Sequence, residues 1–437
     1  MPKIYFPDVQ KIVYAGPDST DPLTFKHYDP EALVEGKSMR DHLRFSASYW
    51  HAMVQGAADP FGGPTRPLPW TEASDPVQAA RDTLDAMFEF LQKMDLGFWC
   101  FHDRDIAPEL ETLEATNAAF DEIVGLAEEK QRETGIKLLW GTANLFSHKR
   151  YMAGAGTSPC PEVFAHGAAQ IKKALEATHR LGGAGYTFWG GREGYDTLLN
   201  TRLSAELGRF AKLLRLAVDH KRKIGFTGAF YIEPKPCEPT TFQYDNDAAA
   251  CYAFLQHHGL EKEFSMNIEA NHATLAGRAF EHELAYSAEH GILGSVDANR
   301  GDPMLGWDTD QFPTNLYDTT AAMGVILGMG GFTTGGLNFD ARLRRQSVEP
   351  YDLFHAHIGG MDAFARGLKA AAKIRAEGRI EALVAERYRG WESELGRKID
   401  AGEASLDSLF EHAVKADVGS APAGRQERLE NLLNEAI

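Results

Sequence analysis

The sequence predicts a (β/α)8 barrel with an N-terminal arm and a helical C-terminal tail. From Leu43 onward, short apolar or aromatic runs alternate with amphipathic stretches of roughly ten to thirty residues. The alternation repeats eight times, and such alternation implies a parallel sheet closed by eight units. Ionisable residues also recur at the C-terminal ends of the runs, the rim where such a barrel builds its site. An open doubly wound sheet competes with this reading, but no Gly-x-Gly-x-x-Gly follows the first run.

Residues 1–42 are rich in Pro, Asp and Tyr without a long period and read as an extended arm. The barrel is expected over 43–376. Its strands are predicted at Arg44–Ser48, Gly97–His102, Lys137–Ala143, Gly185–Trp189, Ala229–Lys235, Ser265–Ala270, Leu293–Ala298 and Gly331–Leu337. Helices are predicted at Pro76–Met94, Ala107–Thr134, Glu162–Leu181, Tyr195–Lys223, Asp245–His258, Leu275–Glu289, Asn315–Leu327 and Tyr351–Ile374. In the first of these, Ala80, Leu84, Met87, Phe88 and Leu91 fall at helical spacing. The tail, 377–437, has one apolar stripe from Ile380 to Ile399 and another through Leu406, Leu409, Phe410 and Val414. Those stripes need a surface, either this barrel or a neighbouring subunit.

The formal net charge of -17 argues against nucleic acid or an anionic membrane as the main partner, since both call for basic surface. No stretch reaches the roughly 18 apolar residues of a membrane span. The N-terminus shows no apolar signal region, and Cys100, Cys160, Cys237 and Cys251 lack zinc spacing. A cytoplasmic protein with reduced thiols is expected.

The chemistry converges on Gly294–Gln311. Asp308 and Asp310 are two apart, which in an extended segment turns both carboxylates to one side. Two such charges roughly 4 Å apart repel by about 4 kcal/mol at an effective dielectric of about 20. Other strand ends carry Glu233 and Lys235, Glu269 with His272, Asp297, and Asp340. Lys235 and His272 cannot neutralise six carboxylates at one rim, whereas two divalent cations leave a far smaller imbalance. One nitrogen among many oxygens favours Mg²⁺, Mn²⁺ or Co²⁺ over structural zinc. Trp50, Trp140 and Trp189 add flat apolar walls that suit a sugar. Asp302 is the remaining aspartate of Gly294–Gln311 and is expected to order the Arg300–Pro303 turn.

Five longer motifs carry a resemblance to the xylose isomerases. They are Phe101–Asp105, Trp140–Asn144, Trp189–Tyr195, Glu233–Pro236 and the stretch from Asp297 to Asn315. The arm makes the chain similar to the longer of the two subgroups. The resemblance implies that Glu233, Glu269, Asp297 and Asp340 hold one cation, which grips two substrate oxygens. It implies that Glu269, His272, Asp308 and Asp310 hold the second, with Glu269 bridging. His102, oriented by Asp105, would assist ring opening, and Lys235 would bond the oxygen on carbon 1. Trp50, Thr142 and Trp189 would bind the sugar, and Phe61 would enter the site of a neighbouring subunit in a homotetramer of two tight dimers. The implied reaction is aldose–ketose isomerisation by hydride transfer from carbon 2 to carbon 1, with no organic cofactor.

The chain departs from the family pattern at Cys237, Thr241, Phe242 and Arg278. None is an implied ligand, so they bear on what the resemblance implies about substrate and metal preference, not on the reaction class. Isomerisation of another aldose, a metal-dependent phosphodiester hydrolase and a non-catalytic sugar-binding barrel are the other readings. The charge speaks against the hydrolase, and His102, Asp105 and Lys235 speak against mere binding.

Overall fold

The computed structural model describes residues 3–437. Eight parallel strands close into a barrel: β1 Ser46–Ser48, β2 Phe98–His102, β3 Lys137–Thr142, β4 Gly185–Trp189, β5 Ala229–Glu233, β6 Phe264–Glu269, β7 Leu293–Asp297 and β8 Leu337–Phe339. Neighbours in sequence pair in order around the ring, and β8 closes onto β1 through Asn338↔Ser46 and Phe339↔Ala47. Each strand is followed by a principal helix: α1 Pro76–Lys93, α2 Leu113–Thr134, α3 Pro161–Arg180, α4 Leu203–Ile224, α5 Ala248–His258, α6 Phe280–Glu289, α7 Leu316–Gly328 and α8 Pro350–Glu377. Helix starts follow local chemistry. Asp75, Thr112, Asp247 and Asn315 accept backbone N–H groups at the starts of α1, α2, α5 and α7.

The four largest boundary differences from the sequence reading each have a local reason. The last strand lies at Leu337–Phe339 rather than Gly331–Leu337, because Gly330 and Gly331 turn the chain at positive φ. A Cβ on Gly335 would collide with the carbonyl of Gly294, so the approach to β8 admits only glycine. Gly335→Ala is expected to destabilise the fold by about 1–3 kcal/mol through overpacking, read as a lower denaturant midpoint. Helix α2 starts at its Thr112 cap, not at Ala107. Helix α4 starts at Leu203, not at Tyr195, because Gly194–Tyr195 pairs with Phe242–Gln243 in a small antiparallel ribbon. The segment predicted as Leu275–Glu289 is divided, with a short helix at Ala270–Leu275 and a break at Gly277 before α6.

The arm is not a free extension. Phe6, Val9, Ile12, Phe25 and Tyr28 are buried in the main core. Glu89 accepts from the N–H groups of Tyr5 and Phe6, and Asp362 accepts from those of Lys26, His27 and Tyr28. The tail forms α9 Arg379–Tyr388, α10 Glu394–Asp400, α11 Leu406–Lys415 and α12 Gln426–Asn434. The first expected stripe is interrupted by a tight turn at Arg389–Glu392, and α12 lay outside the sequence reading. Val384, Tyr388, Trp391, Leu406, Phe410 and Val414 stay exposed, so their apolar faces do not rest on this barrel.

Candidate metal centre

The seven predicted ligands meet at the C-terminal mouth of the barrel. Glu233, Glu269 and Asp297 end β5, β6 and β7, and Asp340 directly follows β8. His272 sits in the short helix after β6, and Asp308 and Asp310 come from the loop after β7. These side chains form three overlapping groups: Glu233, Glu269 and His272; Glu233, Glu269, Asp297 and Asp340; and Glu269, Asp308 and Asp310. Within each group the ligating atoms lie within 4.8 Å of one another. Glu269 belongs to all three.

The Asp308–Asp310 loop is not the extended segment its spacing suggested. Asp310 has φ 44°, a left-handed conformation that non-glycine residues seldom adopt. Arg342 fixes it, its backbone N–H donating to the Asp310 carbonyl at 2.8 Å and its guanidinium to the Thr309 carbonyl at 3.2 Å. The two carboxylates still meet at Glu269, but each has its own second partner. Asp308 Oδ2 accepts from Lys235 Nζ at 2.6 Å, while Asp310 Oδ2 faces His51 Nε2 at 3.5 Å. Lys235 does not pair with Glu233 along one strand: it lies beyond β5 and meets Asp308 instead. Asp302 orders a turn one residue later than expected, accepting from Met304 N and, at 3.4 Å, from Gln311 Nε2.

Burial and mutual repulsion dominate the electrostatics. Burial first, then Asp297, push Glu233 well above the usual carboxylate range. Burial and then Asp308 do the same to Glu269. Asp297 is pushed up to about 8 by burial and Asp340, and Asp310 is also raised by burial and Asp308. Asp308 is the exception: burial opposes its charge, but Lys235 and His272 hold it well below the usual range. Carboxylates so placed need protons or cations between them. The donor set fits hard divalent cations, with six carboxylates and one imidazole. Asp308 Oδ1 and His272 Nδ1 are buried without hydrogen-bond partners, as ligand atoms awaiting a cation would be.

The same residues line a cavity of about 130 Å³ with Trp50, His102, Trp140, Thr142, Phe146, Trp189 and Lys235. Only Asp297 among the seven lies behind its wall. His102 Nδ1 is 2.7 Å from Asp105 Oδ2, which leaves Nε2 as the free ring nitrogen. Thr142 Oγ1 donates to the Thr187 carbonyl at 2.5 Å. Trp189 stands 5.3 Å from Lys235 Nζ, and its indole N–H and that of Trp140 have no partner. A wider groove of about 790 Å³ runs past Trp307 and Arg342 but contains none of the seven residues, so the smaller cavity holds the chemistry. Phe61 does not line the cavity of its own chain. It is 81% exposed and lies edge-on to Trp307.

Several supporting residues escaped the sequence reading. Asn267 Nδ2 donates to Glu233 at 2.9 Å and to Asp297 at 2.7 Å. Asn338 Nδ2 donates to Asp297 at 2.7 Å, and Asn299 Nδ2 to Glu269 at 2.8 Å. A signal was available: Asn267, Asn299 and Asn338 each lie two residues from a ligand, a spacing that in a strand puts both side chains on one face. His51 was also missed. Burial opposes its charge, yet Asp340 and Asp310 together push its pKa up to about 9.

The departures from the family pattern lie off the cavity. Thr241 donates through its N–H and Oγ1 to Asp196, half-exposed Phe242 stacks on Tyr195, and Arg278 reaches Asp247 at 3.4 Å. Cys237 is half-buried in the loop after β5.

The chain is similar over its whole length to curated xylose isomerases. It is 53% identical to that of Thermotoga neapolitana, covering 99% of this chain and 98% of the relative. Identity to that of Rhodopirellula baltica is 53%, over 99% of both chains. With that of Thermoanaerobacter pseudethanolicus it is 51%, again over 99% of both. The family model described as XylA2 C-terminal domain matches residues 384–437. Among solved structures, L-ribulose 3-epimerase aligns with a TM-score of 0.50 at 16% identity, over 70% of this chain and 94% of the other. D-psicose 3-epimerase from Clostridium cellulolyticum H10, with D-tagatose, aligns at 0.51 and 10% identity, over 74% of this chain and 99% of the other. These likenesses bear on the barrel alone. With about half of its residues shared over the full length of these relatives, the chain belongs to the xylose isomerase family.

Proposed function

We propose that the protein is an aldose–ketose isomerase acting on D-xylose and D-xylulose, and more slowly on D-glucose and D-fructose. One observation carries the reading: two carboxylate clusters share Glu269 at a single cavity that His102, backed by Asp105, and Lys235 also line. Glu233, Glu269, Asp297 and Asp340 would hold one divalent cation, and Glu269, His272, Asp308 and Asp310 the other, with Mg²⁺ the preferred ion and Mn²⁺ or Co²⁺ substitutes. Such cations would supply Lewis acidity toward the sugar oxygens, the chemistry that a hydride shift from carbon 2 to carbon 1 calls for.

The chain's own groups do the rest. Asp105 fixes the His102 ring so that its free nitrogen serves the sugar oxygens during ring opening. Lys235, 4% exposed and kept charged by Asp308 against the opposing effect of burial, places a cation where negative charge grows on the oxygen of carbon 1. Trp50 and Trp189 wall the sugar and exclude water, and Thr142 adds a polar contact. Four unbridged cysteines suit a reducing, cytoplasmic setting. Among the described residues, no helix is long and apolar enough to cross a membrane.

Incubation with D-xylose and Mg²⁺ in D₂O tests the reading. Ketose should form with little deuterium at carbon 1. Turnover of L-rhamnose or D-arabinose with none of D-xylose would move the activity to another sugar, and heavy deuteration would replace hydride transfer with an enediol.

We further propose a homotetramer of two tight dimers. The exposed tail faces meet neighbouring subunits, and Phe61 completes the cavity of another chain. Phe61→Ala is then expected to lower kcat/KM for D-xylose by about 10- to 100-fold, the scale of a lost packing wall at a site that depends on fit. An unchanged rate would remove Phe61 from the site.

A further inference from the structure

The turn after β1 is a wide helical turn, Trp50–Val54, of the π type that often marks functional sites. It brings two consecutive side chains onto one ligand atom. Trp50 Nε1 donates to Asp340 Oδ1 at 2.8 Å, and His51 Nε2 lies 2.7 Å from the same oxygen. His51 Nε2 also lies 3.5 Å from Asp310 Oδ2. The other ring nitrogen, Nδ1, is 2.7 Å from Gln55 Oε1, one turn further along. The ring is 5% exposed and is held at both of its nitrogens.

Asp340 belongs to one carboxylate group and Asp310 to the other. We propose that His51 is a positioning residue that ties the two cation sites into one unit. It braces Asp340 and Asp310 from the wall of the cavity, which His51 and Gln55 line beside them, while Gln55 holds the ring in register. This rests on the two-cation reading above. Each carboxylate has a further support: Asp340 keeps Trp50, and Asp310 keeps Asn299 and Arg342. Loss of His51 should therefore loosen both sites without dismantling either. Partners of this kind typically contribute about 10- to 100-fold in metal affinity. Because one ring braces both ligands, loading one site sets the geometry of the other.

Metal-free protein titrated with Mn²⁺ by calorimetry, with electron paramagnetic resonance of the loaded form, tests this. The parent should take up two Mn²⁺ per chain with resolved Mn–Mn coupling. His51→Phe keeps the ring's bulk without its nitrogens. It should weaken both sites by about 10- to 100-fold and blur the Mn–Mn spectrum. His51→Gln places an amide nitrogen near Nε2 and should recover both affinities to within about threefold of the parent. Gln55→Leu leaves every carboxylate contact in place and should weaken both sites by a smaller factor. It stands in for His51→Phe should that variant not fold. Parental affinities in His51→Phe, or in Gln55→Leu if that stands in, would overturn the proposal. So would weakening confined to one site. A parent that binds fewer than two Mn²⁺ would instead overturn the two-cation reading itself.

Discussion

Lys235→Met is expected to lose isomerase turnover by about 10²- to 10³-fold while keeping its fold and its cations. The methionine fills the volume of the lysine stem but removes the charge that faces the developing oxyanion, and a lost donor of that kind has roughly this effect. The size of the change follows from the surroundings. Lys235 Nζ sits 2.6 Å from Asp308 Oδ2 and 3.6 Å from Glu238 Oε2, nearly fully buried, where electrostatic interactions are strong. The variant separates catalysis from cation binding, because removing a positive charge beside Asp308 leaves that carboxylate at least as attractive to a divalent cation. Mn²⁺ affinity should hold or rise as kcat falls. Kinetics with D-xylose and a calorimetric Mn²⁺ titration check both halves. A kcat within tenfold of the parent would take Lys235 out of the chemistry, and a parallel loss of Mn²⁺ would make its role structural.

The barrel was legible because its strands lie between helices and are buried on both faces, so each reads as an apolar run set between amphipathic stretches. β2, β3 and β4 fall within a residue of the predicted positions for that reason. β8 did not, because Leu337–Phe339 is only three residues long and contains Asn338, a polar residue turned inward to Asp297. Its glycine approach looks more strand-like in sequence than the strand itself. The arm misled in the opposite direction. Its apolar residues Phe6, Val9, Ile12, Phe25 and Tyr28 are spaced without period, so their shared burial depends on tertiary contacts with α1 and α8.

The ligands were legible for a different reason: a strand end is fixed in space by the barrel, so a carboxylate there has a known address. That holds for Glu233, Glu269 and Asp297, and for Asp340 just beyond β8. The loop residues Asp308 and Asp310 were found by their charge, but the loop's path was hidden, since it depends on the positive φ of Asp310 and on Arg342 from the next loop. His51 was invisible for the same reason. Nothing beside it in sequence reveals that Asp340, from the far end of the chain, lies 2.7 Å away. Close approaches between distant loops are the part of a site that local pattern does not encode.

Removing the cations should produce the other large effect, on both activity and stability. Exhaustive chelation is expected to abolish turnover, and Mg²⁺ or Mn²⁺ to restore it. The metal-free protein should also lose stability as pH rises from about 4 to about 8. Asp297 is pushed up to about 8 by burial first and Asp340 next, and Glu233 and Glu269 lie well above the usual range. In the unfolded chain the same groups ionise near pH 4. Between those limits the folded state binds more protons than the unfolded one, so the slope of stability with pH is negative. His51, raised to about 9, adds the same sign between its unfolded value of about 6.5 and that limit. Asp308 has the opposite sign, but its folded value is depressed, so its contribution is lost only at pH below about 4. Lys235 is raised from an already high value and is silent across this window. A divalent cation replaces the protons, so its stabilisation should grow with pH. At pH 8, saturating Mn²⁺ should raise Tm by on the order of 10 °C, the scale set by two sites loaded far above their dissociation constants. Calorimetry at pH 5, 6, 7 and 8, with chelator and with Mn²⁺, would show two curves that diverge as pH rises. A chelated protein whose Tm is flat or climbs over that range would mean that the carboxylates do not hold their protons in the fold, and the repulsion that makes this cluster a cation site would be absent.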